Sequence, residues 1–272
     1  MTKLIFLGVG NGGTENLYNT CFAIQNKHGE FLIDAGGSIE IIKRLRMANI
    51  NYRRINDIFI SHSHTDHILG LIWLIKLFYS DLGDGIKEDK VKIYCNDVVY
   101  ESIKGIASYC LPKKLLDIAY NKIEFVILND GDKHIINDIE YTFFDLQAKR
   151  TKQFGFEFID NGIKFVFLGD EKVKPSIYPR IKNSDYVTHE AFCLESEENI
   201  FHANEKNHST VKNASEIMNE LKVNNLILYH TEETHGQDRK RLYTEEGQRY
   251  FNGNIIVPDD LETIELTKKL HL

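Results

Sequence analysis

Apolar positions along the chain follow two periods. Short runs such as LIFLG (4–8), CFAIQN (21–26), EFLIDAGG (30–37), 57–61 and VKIYC (91–95) end at glycine or polar residues and predict strands. Residues 38–48, SIEIIKRLRMA, have helical spacing, with Ser38 placed to cap. A second helix is predicted after strand 57–61, through about residue 78, followed by a loop at DLGDG (81–85), and Asp97 opens a further helical stretch. After residue 122 strands dominate: KIEFVIL, IEYTFFDLQ, FGFEFI and IKFVFLGD, with Asn161-Gly162 between two alternating runs as a hairpin signal. Helix–strand alternation returns from 184, with DYVTHEA, a helix over 209–222 and NLILYH. Each half therefore gives strands followed by helices. The pattern predicts two sheets packed together with helices outside, in a single domain over 1–272.

The densest chemistry lies at the end of strand 57–61, in FISHSHTDHILGLIWLI (59–75). His62, His64, Asp66 and His67 fall between a buried strand and a buried helix. Imidazole and carboxylate are the usual ligands of zinc and related divalent ions. Two ligand pairs pointing in different directions can serve two ions. A histidine-rich surface loop would not be framed by apolar segments on both sides.

His62-x-His64-x-Asp66-His67 after an apolar strand resembles the signature of the metallo-β-lactamase fold superfamily. LGVGNGGTENLYNTCFAI and FLIDAGG resemble the opening strands of its ribonuclease Z branch, Thr188-His189-Glu190-Ala191 that branch's HEAT motif, and His208-Ser209-Thr210 its HST motif. The resemblance implies a four-layer αββα sandwich of two mixed sheets with helices outside. It also implies Asp170 as a bridging ligand, His230 as the final histidine ligand, and Glu190 with His208 as a catalytic pair. Taken singly, Asp170 is also an ordinary turn residue, His230 a buried histidine, His208 a helix cap and Glu190 a solvated carboxylate. Their order along the chain, each near a strand end, favours the site reading.

One departure stands out. The superfamily expects a histidine on the strand before FGFEF, and IEYTFFDLQAKRTKQFGF has none. Gln147 falls near that place and is the expected stand-in, a weaker ligand than imidazole for zinc. The first site would be His62, His64 and Gln147, weak or suited to a harder ion such as manganese. The second would be Asp66, His67, Asp170 and His230. Two bound divalent ions would acidify a bridging water into a nucleophile, with Asp66 orienting it and His208, held by Glu190, serving the leaving oxygen.

Composition narrows the partners. The net charge of −7 gives no overall basic surplus for gripping nucleic acid, although Lys149, Arg150 and Lys152 could form a local patch. No apolar run approaches the roughly 18 residues of a bilayer span, and the N-terminus reaches glycine too soon for a signal peptide, so a cytoplasmic protein is expected. Cys21, Cys95, Cys110 and Cys193 show no close pairing and read as reduced thiols. Ribonuclease Z proteins resemble one another in a long arm that grips transfer RNA, in bacterial forms between the third histidine and the bridging aspartate. Between Gln147 and Asp170 there is room for one hairpin only. The expectation is a phosphodiesterase acting on a small phosphodiester or nucleotide, such as a cyclic nucleotide, as a homodimer. An RNA 3′-end nuclease and a non-catalytic metal-binding protein on the same fold are the alternatives.

Overall fold

The computed structural model describes residues 1–83, 90–113, 116 and 122–268. Its strands form two seven-stranded sheets. The first contains β1 (Lys3–Gly8), β2 (Cys21–Asn26), β3 (Gly29–Ile33), β4 (Asp57–Ile60), β5 (Val91–Cys95) and β6 (Ile123–Ile127), with β14 (Thr263–Glu265) added beside β1. The second runs β7 (Lys133–Ile136), β8 (Ile139–Asp145), β9 (Phe154–Asp160), β10 (Ile163–Phe167), β11 (Tyr186–Glu190), β12 (Asn225–Tyr229) and β13 (Asn254–Ile256) in spatial order. In both sheets the pairing is antiparallel on one side and parallel on the other. The change falls at β3, which pairs antiparallel with β2 and parallel with β4, and at β10, between β9 and β11.

Alternation along the strands builds three apolar layers. In β1, Leu4 and Phe6 point between the sheets while Ile5 and Leu7 point to the helices; in β10, Phe165 and Phe167 point inward and Val166 outward. The layer between the sheets is aromatic. Phe59 meets Phe156 edge-on at 5.5 Å, and Phe156 stacks on Phe167 at 5.1 Å. Such pairs add about 0.5–1.5 kcal/mol each beyond burial. Helices α1 (Glu40–Met47), α2 (Thr65–Gly83) and α3 (Asp97–Cys110) cover the first sheet, and α4 (Val211–Glu220) and α5 (Arg239–Gly247) the second. The architecture is the four-layer αββα sandwich expected from the sequence.

Two differences from the sequence reading concern boundaries. Helix α2 runs on through Gly83, so Asp81 to Gly83 are helical rather than loop, and residues 84 and 85 lie outside the described residues. Phe78 and Tyr79 continue the helical period, and Asp81, buried, accepts hydrogen bonds from Tyr52 and Arg53. Strands β7, β13 and β14, of three or four residues each, are too short to announce themselves by periodicity.

The start of α2 is locked to the end of β3. Ala35 N–H donates to His67 O, and Gly70 N–H to Gly36 O at 2.9 Å. Glycine is required at 70, because a Cβ there would lie 1.9 Å from the Ala35 carbonyl oxygen. Gly70→Ala is expected to lower unfolding free energy by about 3 kcal/mol, read from urea denaturation. An unchanged midpoint would refute the close approach.

Candidate metal centre

The carboxyl ends of β3, β4, β10, β11 and β12 converge, and ligands of α/β sheets bind outside the carboxyl ends of their parallel strands. The two sheets are tied there by backbone bonds: Phe154 N–H to Ser61 O at 3.0 Å and Thr231 N–H to Val9 O at 3.1 Å. Asp34 and His230, each just past a strand, both adopt φ of +55°, a left-handed conformation uncommon for such residues. The surrounding bonds hold them in it.

Asp34 is buried and organises the first half of the site. Its Oδ1 accepts Ser61 N–H at 2.8 Å, and its Oδ2 accepts Ser61 Oγ–H at 2.8 Å and His67 Nδ1–H at 2.7 Å. That last bond sets the His67 tautomer and leaves Nε2 bare toward the cleft. His62 Nδ1 is likewise engaged by Ser61 Oγ at 3.0 Å, and its Nε2 lies 3.3 Å from Asp170 Oδ2. Asp170 Oδ1 is taken by the buried Gln153 amide at 2.5 Å, so Oδ2 alone faces the histidines. It lies 3.5 Å from both His67 Nε2 and His230 Nε2, and Asp66 Oδ2 lies 3.4 and 3.5 Å from the same two nitrogens.

These atoms have the character of a cation site. Nitrogens and carboxylate oxygens of His62, His67 and Asp170, and of Asp66, His67 and His230, gather within 4.8 Å. Among the described residues, His67 Nε2 and both ring nitrogens of His230 are buried without a hydrogen bond, a state costing about 1–3 kcal/mol per group unless something else engages them. The field favours positive charge. Burial works against a charged His67, yet Asp66 and Asp34 outweigh it and hold its pKa well above the ordinary value. Burial also opposes an ionised Asp170, and His62 with its neighbours overcomes this, keeping the carboxyl well below the usual range. His64, in contrast, is pushed down to about 4 by burial and by His62. Neutral imidazoles and ionised carboxylates are the donors that divalent ions take. The residues therefore fit the metal.

Beside this cluster, Glu190, His208 and His230 form a third group within 4.8 Å. Glu190 Oε1 accepts Ser209 N–H at 2.5 Å, while Oε2 lies 3.3 Å from His208 Nδ1. The His208 ring stacks on Phe192 at 4.6 Å and 7°. Burial lowers the His208 pKa, but the Glu190 carboxylate more than compensates and raises it above the ordinary value.

A family model described as anti-Pycsar protein Apyc1 matches residues 2–251. The chain belongs to the anti-Pycsar Apyc1 family. It is also similar to the ribonuclease Z of Borrelia duttonii, 28% identical over 93% of both chains. Among solved structures it resembles the metallo-β-lactamase fold protein YhfI of Bacillus subtilis, with TM-score 0.80, 17% identity and coverage of 97% and 98%. It also resembles the short form of human tRNase Z, with TM-score 0.72, 18% identity and coverage of 98% and 100%. The chain has the metallo-β-lactamase fold, lies in its ribonuclease Z-like branch, and is a metal-dependent hydrolase.

In this member of the Apyc1 family the ligand-type residues read from sequence are brought together with one exception. Gln147 is exposed, and its side-chain oxygen accepts a hydrogen bond from Ser176 Oγ at 2.9 Å. The expectation that it replaces the missing histidine is corrected. A φ of +56° at Gln147, with its N–H donated to Asp145 Oδ1, turns the side chain to the surface. Gln147→Ala is expected to leave bound metal per chain unchanged by elemental analysis, and a drop would restore it as a ligand. The expected division into sites also shifts. His62 groups with His67 and Asp170, and half-buried His64 stands beside it, its Nδ1 3.0 Å from His62 Nε2. Asp34, Ser61 and Gln153 escaped the sequence reading. Asp34 had a signal, an acid closing an apolar strand in FLIDAGG, as Asp170 closes IKFVFLGD.

Proposed function

We propose that this protein is a phosphodiesterase that hydrolyses a small phosphodiester, such as a cyclic nucleotide, with two divalent ions. His62, His64, Asp66, His67, Asp170 and His230 are the proposed ligands. Bound divalent ions supply an acidified water and positive charge against the phosphoryl oxygens. Asp66 would orient the attacking water toward phosphorus. His208, charged because Glu190 faces its Nδ1, offers its Nε2 proton to the ester oxygen as the phosphorus–oxygen bond breaks. Phe192 holds the His208 ring in plane by stacking. Zinc or manganese suits the donor set, and the working unit is a homodimer in the cytoplasm.

The observation that carries this reading is the Glu190–His208 pair seated against His230, beside histidine nitrogens that make no hydrogen bond among the described residues. The small substrate is favoured by the hairpin of β9 and β10, which takes up the chain before Asp170 and leaves no length for an RNA-gripping arm. A ribonuclease Z-like nuclease is the second reading, favoured by curated relatives of that name over nearly the whole chain. The deciding experiment assays a cyclic mononucleotide, bis-p-nitrophenyl phosphate and a precursor transfer RNA side by side, with zinc and with manganese. Turnover of the two small esters is expected, and cleavage of precursor transfer RNA alone would overturn the proposal.

A further inference from the structure

The cleft has a cationic rim that the chemistry above does not use. Lys149 and Arg150 sit on the turn between β8 and β9, and Lys206 on the segment before α4. All three side chains are exposed, and none forms an ion pair within 4.0 Å among the described residues. Nearby Lys152 is bonded to Asp97 at 2.7 Å and Lys172 to Asn204, so neither belongs to the group.

The trio is held in place from beneath. Glu171, buried and directly after Asp170, accepts Lys149 N–H at 2.9 Å on one oxygen and Arg150 N–H at 3.1 Å on the other, with the Asn207 amide as a third donor. Its charge is thus engaged by backbone N–H groups and an amide, not by the two cationic side chains, which form no ion pair with it within 4.0 Å. Thr151 Oγ1 lies 3.3 Å from Ser63 Oγ, which seats this turn against the residue between His62 and His64. Arg150 Nη1 donates to Lys206 O at 3.2 Å and joins the two segments. Lys206 Nζ lies 5.2 Å from the centre of the Phe192 ring, the ring that stacks on His208. Half-buried Glu232 is the acid that feels the Lys206 charge.

A local positive group on a chain of net charge −7 concentrates attraction for anions at the mouth it borders. We propose that Lys149, Arg150 and Lys206 form an anion-receiving lip that draws the phosphodiester of a small nucleotide into the cleft and holds it before reaction. This rests on the reading of the substrate as an anionic phosphodiester. The lip borders the Phe192 ring at Lys206 and the His62–His64 turn at Lys149 and Arg150, and none of the three belongs to the ligand cluster. It therefore contributes to capture and leaves the bond-breaking step to the residues inside.

The test replaces all three by glutamine, Lys149→Gln, Arg150→Gln and Lys206→Gln, in the metal-loaded full chain. With a 3′,5′-cyclic mononucleotide at low salt, kcat/KM is expected to fall about tenfold through KM, with kcat within about twofold. The wild-type fall of kcat/KM with added NaCl should flatten in the variant. An unchanged KM and an unchanged salt dependence would overturn the lip. Binding of a fluorescently labelled cyclic mononucleotide, read by anisotropy, decides the matter without turnover. Weaker binding by the variant supports the lip even if no phosphodiester is hydrolysed, in which case only the functional reading falls. Equal nucleotide binding overturns the lip, including where precursor transfer RNA binding alone is lost.

Discussion

Asp66→Ala should abolish turnover of bis-p-nitrophenyl phosphate, with a loss of at least ~10³-fold, while the protein stays folded. The carboxylate sits in the first turn of α2, 12% exposed, with Oδ2 facing His67 and His230 at 3.4 and 3.5 Å. Its ionised form is strongly held. Burial opposes the charge, but His67 and His230 override it and drive the pKa far below the usual carboxylate range. Circular dichroism should report a folded protein, with some loss of melting temperature because the carboxylate's interaction with His67 and His230 is removed. His208→Ala is the comparison. It should lose rate but not bound metal, because His208 is assigned to the leaving oxygen. Equal metal loss in the two variants would make His208 a ligand, and retained turnover in metal-replete Asp66→Ala protein would sink the assignment of Asp66.

Asp34→Asn should weaken metal binding by about 10–100-fold although Asp34 reaches no ligand position itself. Asparagine keeps the shape and tolerates the φ of +55° at this position. It cannot keep the hydrogen bonds. Aspartate accepts from Ser61 N–H on one oxygen and from Ser61 Oγ and His67 Nδ1 on the other. If the new amide nitrogen faces His67, Nδ1 must become an acceptor and its proton moves to Nε2, the atom turned toward the cleft. If the amide flips, its NH₂ meets the Ser61 N–H, donor against donor. The readout is metal affinity by competition with a chromogenic chelator, with unfolding of the metal-free protein as the control for structure. Wild-type affinity in the variant would show that the His67 tautomer is set by another group.

The sequence was strong on residues that announce themselves locally. Strands β4, β10 and β12 were visible as apolar runs because their residues face buried layers on both sides. His62, Asp66 and His67 were legible because their spacing lies within one strand-to-helix turn. Asp170, Glu190, His208 and His230 needed order and resemblance, since each alone reads as a turn, a cap or a buried polar group.

Gln147 shows where that reasoning stops. Its position along the chain matched a vacancy in a pattern, but the direction of a side chain depends on the local φ and on which bonds the surrounding loop can make. Those bonds placed Gln147 against Ser176 and left the buried amide beside Asp170 to Gln153, six residues further on. Asp34 gives the converse. It sits 33 residues from His67 and 27 from Ser61, so no local period connects them. The sequence by itself determined the alternation that makes two sheets and outer helices, and the residue types that can hold a divalent ion. Tertiary structure decided which of those residues meet and how each ring is turned, because ligand geometry is set by hydrogen bonds between strand ends far apart in the chain.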